Sequence, residues 1–311
     1  MHREIRALFG LVVVGLLLFG AGDLLAKKPA PPPPPPPADP AIAFNDDGRL
    51  VVMNEDGSNR TVLLDTGDHS HLGKPDWSPA GDRLVFWSDV EGAGIYTIKV
   101  DGTELTKLVG TAATFAVANP AWSPDGGRIA FVDQPVNSMN DLYVLDLGTS
   151  IVTQLTFTPD DGELWPTWSP SGTQIAVKVG SNTYRVGDRW GLYKFGSGTY
   201  TILFHEGPLS GVGVSQPAWA KTHEDKIAWI SGADVWVVDF DEPESPVRLT
   251  STGDAQEGCP SWSPDDTMLV IQSVMYKGKG AKDPTFDVLS AVDGSGRETI
   301  ADAGAWPAWR R

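Results

Sequence analysis

The sequence predicts an all-β protein, a six-bladed β-propeller with four-stranded blades whose last blade is closed by N-terminal strands plus a C-terminal strand. Three observations predict it. Pro-x-Trp occurs six times in phase, with prolines at Pro75, Pro120, Pro166, Pro217, Pro260 and Pro307, 43 to 51 residues apart. That period is the length of one four-stranded blade. Most copies are followed by tight-turn chemistry and then by an alternating or wholly apolar run. The region from Ala41 opens in the middle of a unit and Pro307-Ala-Trp309 opens a unit that is not continued, so the two ends add up to one blade.

Within a unit each strand has its own signal. Pro-x-Trp reads as a short extended strand, because proline donates no hydrogen bond and biases the residue before it toward the β region. Ser-Pro-Asp-Gly reads as a tight turn: serine opens it, proline presets φ, and glycine accepts a left-handed conformation. The second strand follows as Arg83–Ser88, Arg128–Val132, Gln174–Val177, Lys226–Ile230 and Met268–Ile271. A third run follows, as in Ile95–Ile98, Leu142–Leu145 and Val235–Val238, with Asp101-Gly102 and Asp293-Gly294 marking the next hairpin. Gln154–Thr156 and Arg248–Thr250 read as fourth strands. At the N-terminal end, Ile42–Asn45, Arg49–Met53 and Thr61–Leu64 supply a second, third and fourth strand with no first strand before them. Six units over residues 41–311 give about 45 residues per blade, which leaves no room for another domain. The six unit tryptophans, Trp77, Trp122, Trp168, Trp219, Trp262 and Trp309, are expected to pack between blades.

These motifs resemble the repeat of TolB-like β-propellers, relatives of the WD-type repeats. Trp122-Ser-Pro-Asp-Gly126 followed by Ile129-Ala-Phe131 is the fullest match; Trp77-Ser-Pro79, Trp168-Ser-Pro-Ser-Gly172 and Trp262-Ser-Pro-Asp265 are near matches. Pro217-Ala-Trp219 keeps only the start and replaces the turn with Ala220–Asp225. The separate α/β domain that precedes the TolB propeller has no counterpart here, and neither has the hydrolase domain of propeller peptidases. The resemblance therefore implies the fold but brings over neither of those activities.

Before the propeller, Arg3 and Arg6 precede an uncharged stretch, Ala7–Gly22, and a small residue, Ala26. Residues 1–26 read as an export signal, short for a spanning helix, that becomes a membrane anchor if it is not cleaved. Residues 27–40 carry seven consecutive prolines. They read as a stiff spacer or as a polyproline ligand for an aromatic groove. A periplasmic or secreted location follows.

The net charge of −16 disfavours nucleic acid and anionic lipid headgroups as main partners. One cysteine, Cys259, excludes an intramolecular disulfide and a Cys-rich zinc site. There is no Gly-x-Ser-x-Gly elbow, no His-Glu-x-x-His pair and no phosphate-binding glycine loop. Catalytic residues are accordingly not assigned.

If the repeats are framework, function belongs where they differ. The loops into the first strands open on one face, here termed the inlet side. The residues before the repeat prolines are Lys74, Asn119, Trp165, Gln216, Cys259 and Trp306. They vary as a ligand-facing ring would, or as unselected positions would. Candidate binding residues at the channel mouth are His69, His71, Lys74, Asn119, Glu163, Trp165, His205, Gln216, Glu257 and Trp306. His69 and His71, with His205 and nearby carboxylates, could hold a divalent cation or form a solvated polar loop. Certain propeller lyases on acidic sugars carry such a histidine-held metal, but no fourth ligand is evident here. Trp165 and Trp306 read as a stacking platform or as loop packing. The sequence thus points to a monomeric protein- or peptide-binding module. The alternative is a small-ligand receptor or a metal-dependent lyase on an acidic polysaccharide.

Overall fold

The computed structural model describes residues 41–67, 71–110, 119–134, 139–158, 162–180, 189–195, 197–203, 214–239, 245–277, 280–281, 283–302 and 304–311. Among them there is no helix, and hence none long and apolar enough to cross a membrane. The strands are β1 (Ile42–Asp46), β2 (Arg49–Met53) and β3 (Thr61–Asp65). Blade 1 holds β4 (Asp76–Trp77), β5 (Arg83–Ser88), β6 (Gly94–Lys99) and β7 (Thr106–Gly110). Blade 2 holds β8 (Ala121–Trp122), β9 (Arg128–Asp133), β10 (Asp141–Asp146) and β11 (Val152–Gln154). Blade 3 holds β12 (Gly162–Trp168), β13 (Gln174–Gly180), β14 (Arg189–Lys194) and β15 (Thr199–Leu203). Blade 4 holds β16 (Val214–Trp219), β17 (Lys226–Ser231), β18 (Asp234–Asp239) and β19 (Val247–Arg248). Blade 5 holds β20 (Ala255–Trp262), β21 (Met268–Lys277), β22 (Gly280–Ala281), β23 (Thr285–Ser290) and β24 (Glu298–Asp302). The last strand is β25 (Ala305–Trp309).

The strands form six antiparallel sheets in chain order, as predicted. The sixth is ordered β25-β1-β2-β3, so the C-terminal strand supplies the innermost strand of the blade that β1 to β3 begin. Ile42 pairs with Trp309 and Ala43 with Ala308. Closure of this kind completes the last blade and leaves each sheet only a short outer edge. Blade 5 is longer than its neighbours because β21 runs on to pair with β22.

The wholly apolar second strands are explained by where the core lies. Hydrophobic clusters sit between neighbouring blades, so each sheet buries both faces. Leu84 and Phe86 of β5 pack toward blade 6 with Leu50, Val52 and Trp77. Val85 and Trp87 of the same strand pack toward blade 2 with Trp122, Ile129 and Phe131. The period of two still holds, but both faces are apolar. Each repeat tryptophan lies in such an interblade cluster and is nearly inaccessible.

The turn chemistry is also as read. In blades 1, 2, 3 and 5 the serine carbonyl accepts the N–H three residues on, and the serine hydroxyl accepts the N–H five residues on; in blade 2 these donors are Gly126 and Arg128. The left-handed position is Gly81, Gly126 or Gly172, but Asp266 in blade 5, with φ of 57°.

Candidate functional site

The inner strands of the ring are not simply extended. The residue before the repeat proline has positive φ in five units: Asn119 at 31°, Trp165 at 52°, Gln216 at 49°, Cys259 at 52° and Trp306 at 56°. This corrects the expectation that proline holds its predecessor in the β region. In blades 3, 4 and 5 the register slips at this position, between Leu164 and Thr167, Ser215 and Ala218, and Gly258 and Ser261. A bulge inserts an unpaired residue and re-aims the strand. Pairing with the second strand thus spans the bulge and resumes before tryptophan. Bulky non-glycine residues at positive φ carry strain that the surrounding structure must hold in place.

The predicted site residues separate into three groups. His69 and His205 lie outside the described residues. His71 is described: its backbone N–H donates to Asp89 Oδ1 at 2.6 Å, and its Nδ1 lies 3.0 Å from Asp89 Oδ2. Burial pushes the Asp89 carboxyl up, but the bonds from His71 outweigh it and hold the group below its ordinary value. Among the described residues no group of three or more His, Cys, Asp or Glu converges in a metal-binding arrangement.

Glu163 and Glu257 are framework. Both are buried, with 0% and 2% exposure. Glu163 accepts from the hydroxyls of Thr156 (3.2 Å) and Thr158 (2.9 Å). Glu257 accepts from Thr252 Oγ1 at 2.7 Å and from Arg297 Nη1 at 2.9 Å. Burial raises the Glu257 carboxyl above its usual value despite these partners. Asp141 and Asp234, each at the start of a third strand, accept from the same threonine segments. Their shared pattern is Leu-Thr-x-Thr in residues 155–158 and 249–252, followed by the buried glutamate. These two carboxylates tie blades 2 to 3 and 4 to 5.

The remaining ring residues stay near the inner strands. Asn119 is buried; Lys74, Trp165, Gln216 and Trp306 are half-buried. Gln216 Oε1 accepts the Cys259 N–H at 2.5 Å, and Cys259 Sγ lies 3.6 Å from Gln272 Oε1. The Trp306 N–H approaches the same oxygen at 3.5 Å. Burial pushes the Cys259 thiol up to about 12, so it is not a nucleophile at neutral pH. Trp165 lies under the ammonium of Lys178, 5.5 Å from its ring centre. Trp165 and Trp306 stand in blades 3 and 6, on opposite sides of the ring.

Sequence reasoning missed Lys178, Gln272 and Asn45. All three occupy one equivalent place in a second strand, three residues after its first aliphatic core residue Ile175, Leu269 or Ile42, where blades 1, 2 and 4 carry Trp87, Val132 and Ile230. A polar residue in an otherwise apolar run was the available signal. Lys178 is wholly buried, and Asn45 Nδ2 donates to the Leu72 carbonyl at 2.7 Å. Sequence reasoning also missed that Lys74, Asp76, Lys221 and Arg311 share the central channel.

Comparison with known proteins agrees with this architecture. The family model of the TolB beta propeller domain matches residues 43–309, and the chain belongs to that family. A solved TolB from Acinetobacter baumannii superposes with a TM-score of 0.69 at 21% identity, covering 88% of this chain and 67% of the other. Hydrazine synthase of Kuenenia stuttgartiensis gives 0.67 at 14%, covering 88% and 47%. An oligogalacturonate lyase in complex with manganese gives 0.54 at 14%, covering 86% and 76%. A search of curated proteins finds no match.

Proposed function

We propose that this TolB-like propeller is a protein- or peptide-binding module of the cell envelope, exported by residues 1–26 and spaced from its anchor or wall by residues 27–40. The observation that carries the reading is the contrast between a closed, hydrogen-bonded framework and one ring of dissimilar residues at equivalent positions before the repeat prolines. Lys74, Asn119, Trp165, Gln216 and Trp306 are the members offered to a partner. A rigid scaffold with variable inlet loops suits recognition, since the ring is organised before binding. Phe157 is 75% exposed in the segment leading into blade 3 and supplies an apolar contact beside it. Interface hot spots favour such aromatic anchors.

The test is capture from an envelope extract with the tagged chain of residues 27–311 as bait, beside a Trp165→Ala/Trp306→Ala variant and a Phe157→Ser variant. A specific partner that the native bait retains and the variants lose is the expected result. A partner held equally by all three baits, or no specific partner, overturns the reading.

A further inference from the structure

The channel along the ring axis encloses a cavity of about 50 Å³. At roughly 10–15 Å³ per water, that space takes about three or four waters, or one carboxylate- or phosphate-sized group. Besides charged groups, its walls are prolines, small residues and tryptophans of the repeat, among them Pro120, Ala121, Ala218, Trp168 and Trp219. The charged groups facing it are Lys74, Lys221, Arg311 and Asp76. Three cations against one carboxylate is the reverse of the whole chain, whose net charge is −16.

The donors are only partly used. Lys221 Nζ donates to the carbonyls of Trp309 and Arg310, the latter at 2.8 Å, which leaves one of its three hydrogens. Arg311 Nη2 donates to the Trp122 carbonyl at 3.2 Å. Lys74 has no hydrogen-bond or ion-pair partner among the described residues. Asp76 is occupied, because its Oδ2 accepts the Trp122 N–H at 2.7 Å. Burial, and next the charge of Arg311, lowers the Lys221 ammonium to about 7, while Asp76 and Asp266 pull it back up and Lys74 adds to the lowering. The channel is short of negative charge.

We propose that the channel is an anion site, in which Lys74, Lys221 and Arg311 hold one small oxyanion, a carboxylate or a phosphate group. Charge-assisted bonds from two ammonium groups and a guanidinium suit that chemistry. So small a space suits one such oxyanion better than a sugar ring or an aromatic side chain. This inference concerns the axis of the ring and does not require a protein partner.

The test uses the full chain with sodium phosphate and sodium acetate as separate probes, in chloride buffers of matched ionic strength. Titration calorimetry and thermal unfolding should both give saturable binding to at least one probe, since a ligand of the native state raises its melting temperature. Preference for acetate identifies a carboxylate source, and preference for phosphate a phosphoryl source. Lys74→Gln and Lys221→Met should each weaken binding about tenfold. Acetate binding should also weaken as pH rises through about 7, where Lys221 loses its proton beside Lys74, Arg311, Asp76 and Asp266. If Lys221→Met does not fold, Lys74→Gln decides alone, because the Lys74 ammonium makes no hydrogen bond among the described residues. No saturable binding of either probe, or binding unchanged in Lys74→Gln, overturns the site.

Discussion

At the scale of single residues, the repeat tryptophans do two different jobs. In blades 1, 3 and 5 the indole N–H crosses to the preceding blade: Trp77 to the Ala308 carbonyl (2.9 Å), Trp168 to Ala121 (3.0 Å) and Trp262 to Ala218 (2.8 Å). In blades 2 and 4 it stays in its own turn, from Trp122 to the Gly126 carbonyl and from Trp219 to Glu224. Replacing Trp168 with Phe strands a buried carbonyl and should cost about 1–3 kcal/mol beyond the lost volume. The same change at Trp122 should cost less, and denaturant unfolding of the two variants checks the difference. Asp266 is a second case. Its side chain is 1% exposed, and it accepts the N–H groups of Lys221 (2.6 Å) and Thr222 (2.8 Å) and pairs with His223 Nδ1 at 2.9 Å. The aspartate that departs from glycine in blade 5 therefore holds the divergent turn of blade 4. Burial pushes its carboxyl up, yet the bonds from Thr222, Lys221 and His223 win and keep it below 3.8. A depressed carboxyl contributes stability that is present above its unfolded value and lost as pH falls through its folded one. Asp266→Asn, which tolerates the left-handed φ, should lose about 2 kcal/mol near neutral pH. It should also flatten the acid limb of stability below about pH 4. An unaltered acid limb by thermal unfolding between pH 2 and 7 would contradict this.

At the scale of elements, the inner strands alternate. The residue between proline and tryptophan is Asp76, Thr167 or Ser261 in odd blades and Ala121, Ala218 or Ala308 in even ones. Each polar side chain accepts the tryptophan N–H of the next blade: Trp122 on Asp76, Trp219 on Thr167, Trp309 on Ser261. Inner strands are thus stitched in both directions, and the ring is three two-blade units as well as six single ones. The closing strand takes part in all of this. Trp309 packs with Phe44, Phe286 and Val288, Ala308 accepts Trp77, and the Arg310 N–H donates to the Ala41 carbonyl at 2.7 Å. Deleting Pro307–Arg311 should therefore destabilise the propeller severely, with a sharply lower melting temperature by circular dichroism. An unchanged melting temperature would show that blade 6 closes without it.

At the scale of the whole molecule, interblade clusters join every blade to the next and leave only the short outermost strands as sheet edges. What the ring presents outward is acidic overall, while its axis gathers Lys74, Lys221 and Arg311. Repulsion of nucleic acid by the outer surface and attraction of a small anion by the axis are compatible, because a narrow low-dielectric channel weights near charges over distant ones. The framework was readable residue by residue: the turns, the second strands, the six tryptophans and the closing blade stand where Pro75, Pro120, Pro166, Pro217, Pro260 and Pro307 place them. The site was readable only in part. The ring of pre-proline residues could be named, but not its left-handed backbone, nor the burial of Glu163 and Glu257.

The physical reason lies in the range of the interactions. Turn propensity, strand period and proline stereochemistry act within a few residues, so the sequence by itself determined blade number, strand order and the equivalence of the tryptophans. The bulged ring, the stitching of odd to even blades and the charge of the channel join groups far apart in the chain, such as Trp77 with Ala308 and Arg311 with Trp122. No local pattern marks such pairs. Only closure of the ring brings them together, and the tertiary structure alone decided them.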